Sequence, residues 1–239
     1  MTLSIALRGD TARFPGNTLP ALRAAWRAGA DLVKVDVHLT RDGYPVLAGE
    51  RTAELRNRPP RPLADLSLAE LAAARDDVEH RIPTLLEVLS EFRDGDVPAL
   101  VLDSASAEAA LASDALLRER GFAEHVLHTG SVEALGSLSA QNPSARLLLP
   151  WDQEVLPSAA ALHGLRPTYL GMRSPLLTRE GIVEAHRSGY LVAAWDVEDF
   201  SEMARLVGTG VDAIAAERLD DLVAVVSGRA QDEVQVSGV

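Results

Sequence analysis

Short apolar runs alternate with stretches of helical periodicity along the whole chain. The runs predict strands over Leu3–Leu7, Leu32–Val37, Ala99–Asp103, His125–His128, Arg146–Leu149, Thr168–Gly171, Leu191–Trp195 and Asp212–Ala215. The periodic stretches predict helices over Thr18–Ala28, Thr84–Arg93, Ala107–Arg120, Val132–Ala140, Pro157–His163, Arg179–Arg187, Phe200–Val207 and Asp220–Val226. Strands that are nearly continuous in apolar residues and alternate with helices read as a parallel sheet covered by those helices. Asn17 is placed to cap the first helix and Ser201 lies near the start of the seventh, while Gly29, Gly121 and Gly189 fall where helices stop. An extra segment, Tyr44–Arg81, follows the second strand and contains a short extended piece, a Pro/Arg-rich loop at Arg58–Pro62 and a helix over Leu68–Ala74. A polar tail, Gly228–Val239, frays at the end.

Eight β/α units in 239 residues fit one closed (β/α)8 barrel, for which ~250 residues is typical. This gives one barrel domain over residues 1–227 and a tail over 228–239. The alternative, an open doubly wound sheet, suits the sequence less well. Its dinucleotide-binding version carries a glycine fingerprint in the first turn, and Arg8–Pro15 lacks it.

The apolar fraction of 47% and charged fraction of 24% are those of a folded globular chain. The net charge of -12 disfavours nucleic acid and anionic membranes, and no basic stripe with interleaved aromatics offsets it. The absence of cysteine excludes disulfides, thiolate metal sites and cysteine nucleophiles. The N-terminus does not read as a signal peptide, and no apolar run approaches the ~20 residues of a membrane span. A cytoplasmic protein is expected.

In a barrel the site lies where strands end and loops begin. Along the second strand Lys34, Asp36 and His38 share one side and Val33, Val35 and Val37 the other, so the polar set points inward near the mouth. Lys34 and Asp36 read either as part of a site or as an internal ion pair that only holds the barrel together. Other strand ends contribute Arg8, Asp103, His128, Arg173, Trp195 with Asp196, and Glu217. Arg8 and Arg173 have the geometry to hold phosphate or carboxylate, with surface solvation the competing role for Arg173. Trp195 forms either a ligand wall or a cap on the core, and His128 is either an acid–base group or structural. His163 and His186 fall in helices and face solvent.

These residues also carry a family resemblance. Ile5-Ala6-Leu7-Arg8-Gly9 is similar to I-A-H-R-G, and Pro15-Gly16-Asn17-Thr18 to P-E-N-T. Gly29-Ala30-Asp31-Leu32-Val33-Lys34-Val35-Asp36-Val37-His38-Leu39-Thr40-Arg41-Asp42-Gly43 is similar to G-A-D-x-I-E-x-D-V-H-L-T-K-D-G, and Pro45-Val46 with Gly49-Glu50 to P-V followed by H-D. Ile82-Pro83-Thr84-Leu85, Trp195-Asp196-Val197-Glu198 and Gly210-Val211-Asp212-Ala213-Ile214-Ala215-Ala216-Glu217 continue the match in order. The chain thus resembles the glycerophosphodiester phosphodiesterases over nearly its whole length. The resemblance implies a barrel enzyme that cleaves glycerophosphodiesters to an alcohol and glycerol 3-phosphate. Calcium or magnesium is held there by three acidic residues, and two histidines serve as acid and base.

At most of those positions this chain departs from the pattern. Leu7 and Gly49 stand at the two histidines, and Gly16 at the glutamate of P-E-N-T. Lys34 replaces a metal-ligand glutamate, whereas Asp36 is retained. The third-strand glutamate aligns with Leu102 or Asp103, according to register. Arg8 and Trp195 match the family's phosphate-side arginine and pocket tryptophan. A hard cation such as calcium needs 6–8 oxygen ligands, and an ammonium among so few carboxylates opposes it. Each missing proton-transfer role costs roughly 10²–10⁴-fold.

The leading expectation is a barrel without the family's hydrolysis and without a cofactor. It would hold a small phosphate- or polyol-containing ligand through Arg8, Lys34, Asp36, Asp103, Arg173 and Trp195, or act through a protein partner that the sequence does not identify. The alternative is a divergent phosphodiesterase or lyase with rebuilt groups, His38, Glu50 or His128 beside Asp36, for which Ca2+ or Mg2+ would be required. A purely structural barrel with an empty mouth is the third reading.

Overall fold

The computed structural model describes residues 1–55, 58–74, 81–91, 99–162, 164–197 and 199–228. Residues 229–239 of the expected tail, and Arg93, His163 and Glu198, lie outside the described residues. The elements are β1 (Leu3–Leu7), α1 (Leu19–Ala28), β2 (Leu32–Leu39), β3 (Pro45–Leu47), β4 (Thr52–Leu55), β5 (Arg58–Pro62), α2 (Leu68–Ala72), α3 (Leu85–Ser90), β6 (Ala99–Ser104) and α4 (Ala107–Arg120). They continue with β7 (Val126–Gly130), α5 (Val132–Gln141), β8 (Leu148–Pro150), β9 (Tyr169–Arg173), α6 (Arg179–Arg187), β10 (Leu191–Trp195), α7 (Phe200–Thr209), β11 (Ala213–Ala216) and α8 (Leu219–Val226).

Strands β1, β2, β6, β7, β8, β9, β10 and β11 run parallel in the order β7-β6-β2-β1-β11-β10-β9-β8. A parallel bridge between His128 and Leu147 closes the remaining seam. The result is the expected (β/α)8 barrel. Alternation along each strand sorts the apolar side chains into two shells. Ile5, Leu32, Val101, Leu127, Leu148 and Tyr169 fill the inside. Val33, Val35 and Val37 turn outward, fully buried against Leu22, Val88 and Leu117 of the helical layer.

The segment after β2 adds β3 antiparallel to β2, then a β4–β5 hairpin with a small core of its own around Val46, Ala53, Leu63 and Leu71. Arg58–Pro62, expected as a loop, forms an edge strand. Proline is tolerated there because an edge leaves one row of backbone groups unpaired. Ser67 with Glu70 and Thr84 with Glu87 form capping boxes that start α2 and α3.

Two expected local features differ, and a third, Ser201 near the start of α7, holds. The described part of the expected Pro157–His163, residues 157–162, is not a helix. Leu162 bonds back to Ser158 in a single turn, and Gly164 ends it with φ 84°. One turn closes too few hydrogen bonds to propagate. Asn17 is not the cap of α1: Thr18 holds that position, and the Asn17 side chain turns to the barrel mouth instead. For α7 the capping residue is Asp199, to which Ser201 donates a hydrogen bond of 2.6 Å.

Gly9 fixes how closely the first loop lies on α1. Its φ is +92°, and a Cβ there would stand 2.6 Å from the backbone carbon of Ala21. Gly43 has a similar φ of +81° with nothing within 4 Å. Gly43→Ala should therefore lower unfolding free energy by about 1 kcal/mol from backbone strain alone, and Gly9→Ala by at least about 3 kcal/mol because overpacking is added. Urea unfolding of the two variants checks the difference.

Candidate functional site

The strand register brings charged residues together at one side of the mouth. Asp36 of β2 pairs in register with Asp103 of β6, so both carboxylates stand at the same height on neighbouring strands. Lys34, two residues earlier, reaches up between them. Its Nζ lies 2.9 Å from Asp36 Oδ1 and 2.7 Å from Asp103 Oδ2. Burial alone would push the Lys34 pKa down, but the two carboxylates outweigh it and hold it above the usual lysine value. The amine is therefore a fixed cation.

The other oxygen of Asp36 is also engaged. Asn17 Nδ2 donates to Oδ2 at 3.0 Å, while Asn17 Oδ1 accepts from the Asp36 backbone N–H at 3.0 Å. Arg8 Nε stands 3.7 Å from the same Oδ2, and its Nη2 stands 3.7 Å from Glu217. Arg8 and Asn17 both adopt φ 60°. Left-handed conformations in non-glycine residues persist only where the surroundings hold them. Here the Arg8 N–H donates to Lys34 O at 2.7 Å, and the Asn17 N–H donates to Arg8 O at 2.9 Å.

Two glycines shape the space around Arg8. A Cβ on Gly16 would lie 2.9 Å from Arg8 Cβ and 3.3 Å from Thr11 Cγ2, so any side chain there displaces the arginine. A Cβ on Gly49 would meet Arg8 Nη1 at 3.5 Å and Asn17 Nδ2 at 3.6 Å, which is ordinary contact.

His38, Glu50 and Arg51 complete the charged side. With Asp36, Asp103 and Gly49 they line a polar recess of about 440 Å³. Burial lowers the His38 pKa; Asp36 opposes this and Arg51 reinforces it. The recess adjoins a larger cavity of about 600 Å³ that enters the barrel past Lys34, Asp103, Leu7 and Trp195. Trp195 lies flat across β9. A Cβ on Gly171 would fall 2.2 Å from its Cζ3, so only glycine leaves room for the ring.

Arg8, Lys34, Asp36, His38, Glu50 and Asp103 thus share the mouth, and Trp195 forms the opposite wall. Arg173 stands at the rim beside Asp152, with its Nε 3.5 Å from Oδ1. His128 is not at the mouth. It faces outward from β7, is 2% exposed, and stands 4.0 Å from Asp114 of α4. Burial drives its pKa down to about 4, with Asp114 only partly opposing. His186 faces solvent, as expected, and bonds Asp212 at 2.7 Å. Sequence reading missed Asn17 as the clamp on Asp36 and Arg51 as a rim cation. Among the described residues no carboxylate lies within ion-pairing distance of Arg51, and no group of three or more His, Cys, Asp or Glu is arranged to hold a metal ion. No described helix is long and apolar enough to cross a membrane.

Residues 8–221 match the model of the glycerophosphoryl diester phosphodiesterase family. A glycerophosphodiester phosphodiesterase of Caldanaerobacter subterraneus is 27% identical over 94% of this chain and 98% of its own length. Among solved structures, a glycerophosphodiester phosphodiesterase from Agrobacterium tumefaciens superposes with a TM-score of 0.79 at 23% identity, covering 95% of this chain and 100% of that one. An Oleispira antarctica phosphodiesterase, solved with the product sn-glycerol-3-phosphate, gives a TM-score of 0.74 at 24% identity over 95% and 97% of the two chains. At these identities the two structures establish the shared fold.

Two outcomes are expected from the electrostatics. Lys34→Met leaves Asp36 and Asp103 facing each other and should destabilise the protein by about 3 kcal/mol at neutral pH. Urea unfolding at neutral pH measures the loss. For His128, the unfolded imidazole binds its proton near 6.5 and the folded one near 4, so unfolding is favoured as pH falls through that window. His128→Leu should remove about 3 kcal/mol of the stability lost between pH 6.5 and 4, read from urea midpoints.

Proposed function

Because the chain belongs to the glycerophosphoryl diester phosphodiesterase family, we propose that its mouth binds a small phosphate-bearing ligand of glycerophosphate type without the family's metal-dependent hydrolysis. The observation that carries this reading is the Lys34 ammonium, 2.9 Å from Asp36 and 2.7 Å from Asp103. The divalent cation implied by the resemblance does not fit these residues. Asp36 gives one oxygen to Lys34 and the other to Asn17, and the second nearby carboxylate is tied to the same ammonium. A divalent ion there would have to displace a lysine whose charge is itself stabilised by its partners, and it would find too few oxygen donors. The positions resembling the two family histidines are Leu7 and Gly49, so neither proton transfer has its usual group.

Binding has better support. Arg8 is half-exposed at the mouth with both neighbouring carboxylates at 3.7 Å, so a phosphate oxygen can compete for the guanidinium. Arg51 adds a second rim cation, lining the same recess as Asp36. The Oleispira relative carries glycerol 3-phosphate, which makes that compound the natural first probe.

A second reading is favoured by one observation. His38, which burial keeps largely neutral, shares a recess with Glu50 and Asp36 and has the chemistry of a general base. On that reading hydrolysis proceeds on rebuilt groups.

Thermal melts separate the two. Calcium, magnesium and chelator should leave Tm unchanged, while glycerol 3-phosphate raises it, reaching about 2.7 kcal/mol of stabilisation at a hundred times Kd. Glycerophosphocholine should not be turned over. A metal-dependent rise in Tm, or turnover abolished by Asp36→Asn, would overturn the proposal; turnover lost in His38→Ala would establish the second reading.

A further inference from the structure

A (β/α)8 barrel ordinarily fills its interior with layers of branched side chains. Here Leu32, Leu127 and Tyr169 are large, but Ala193 on β10 and Ala215 on β11 are small, while the space at Gly171 on β9 is taken by the Trp195 ring. The volume left open is the cavity of about 600 Å³ beneath the mouth. That size lies within the range of ligand pockets.

The chemistry of its lining is divided between two sides. Lys34 and Asp103 satisfy each other at 2.7 Å on the β2–β6 side, where Arg51, Ser104 and Thr129 also bring polar groups. Ser131, higher up, already accepts a hydrogen bond from Ala134 N–H as the cap of α5. Ile5, Val101, Leu148, Ala193 and Ala215 bring no polar side-chain atom. Leu7, standing where the resemblance has a histidine, and the Trp195 ring continue the apolar surface upward to the mouth. Hydroxyls placed against this apolar side would be stripped of water without new partners, at about 1–3 kcal/mol each. A hydrocarbon group meets no such penalty. The fixed cations that remain accessible, Arg8 and Arg51, are at the rim.

From this division we infer that the chamber seats the hydrocarbon body of an amphiphilic ligand, an alkyl phosphate ester whose anionic head rests on the rim arginines. The inference uses the preceding reading for the head and the chamber lining for the body. It assigns selectivity to the part of the barrel that lies below the charged cluster. A polyol such as free glycerol is then a poor occupant of the interior, and chain length becomes the variable the protein senses.

Isothermal titration calorimetry of the full chain with inorganic phosphate, glycerol 3-phosphate, butyl, hexyl and octyl phosphate, and hexanol tests this. The expected result is a Kd that falls by about fourfold per added methylene until the chamber is full, the equivalent of ~0.8 kcal/mol each. Ala193→Leu, which fills the floor, should flatten that series. Trp195→Leu, which removes the wall from the mouth side, is the second variant should the first not fold, and circular dichroism checks each. If all the phosphates bind with equal Kd, the chamber assignment is overturned while the rim reading stands. Hexanol binding with no phosphate bound overturns the rim reading and leaves the chamber. Binding by none of the compounds overturns both.

Discussion

An ammonium held between two carboxylates organises the mouth of this barrel. Lys34 sits between Asp36 and Asp103, and the three positions come from two neighbouring strands in fixed register. Two aspartates at equal height on adjacent strands repel each other across a partly buried space, so a cation must stand between them or one must take up a proton. The family resemblance implies an external divalent ion in that role. Here the chain supplies the charge from the Lys34 side chain, covalently fixed two residues before Asp36.

Several neighbouring features follow from that internal cation. Asn17 leaves its expected place as a helix cap and spends both ends of its amide on Asp36. Arg8 settles between Asp36 and Glu217 in a left-handed conformation, and Gly16 is the residue whose missing Cβ makes room for it. Any side chain at residue 16 would meet Arg8. Gly16 and Gly49 thus border the arginine that stands beside Asp36.

The sequence made much of the fold legible. Period-2 alternation in β2 put Lys34, Asp36 and His38 inward and the valines outward, because a half-turn per residue leaves no other assignment once the valines must be buried. Strand and helix order followed from apolar runs and glycine stops. What misled was local chemistry. Residues 157–162 have a helical composition but close a single turn before Gly164, and Arg58–Pro62 looked like a loop because its prolines hide an edge strand. His128 sits at a strand end like the true mouth residues, yet its parity turns it outward to Asp114.

By itself, then, the sequence determined the barrel and its inward-facing polar set, since these depend on periodicity and side-chain type. Only the tertiary structure decided that Asp103 faces Lys34, that Asn17 and Arg51 belong to the mouth, and that the interior beside Ala193 and Ala215 is left open. Each of those facts depends on the register between strands far apart in the chain, and on how neighbouring side chains share one volume, which no local pattern encodes.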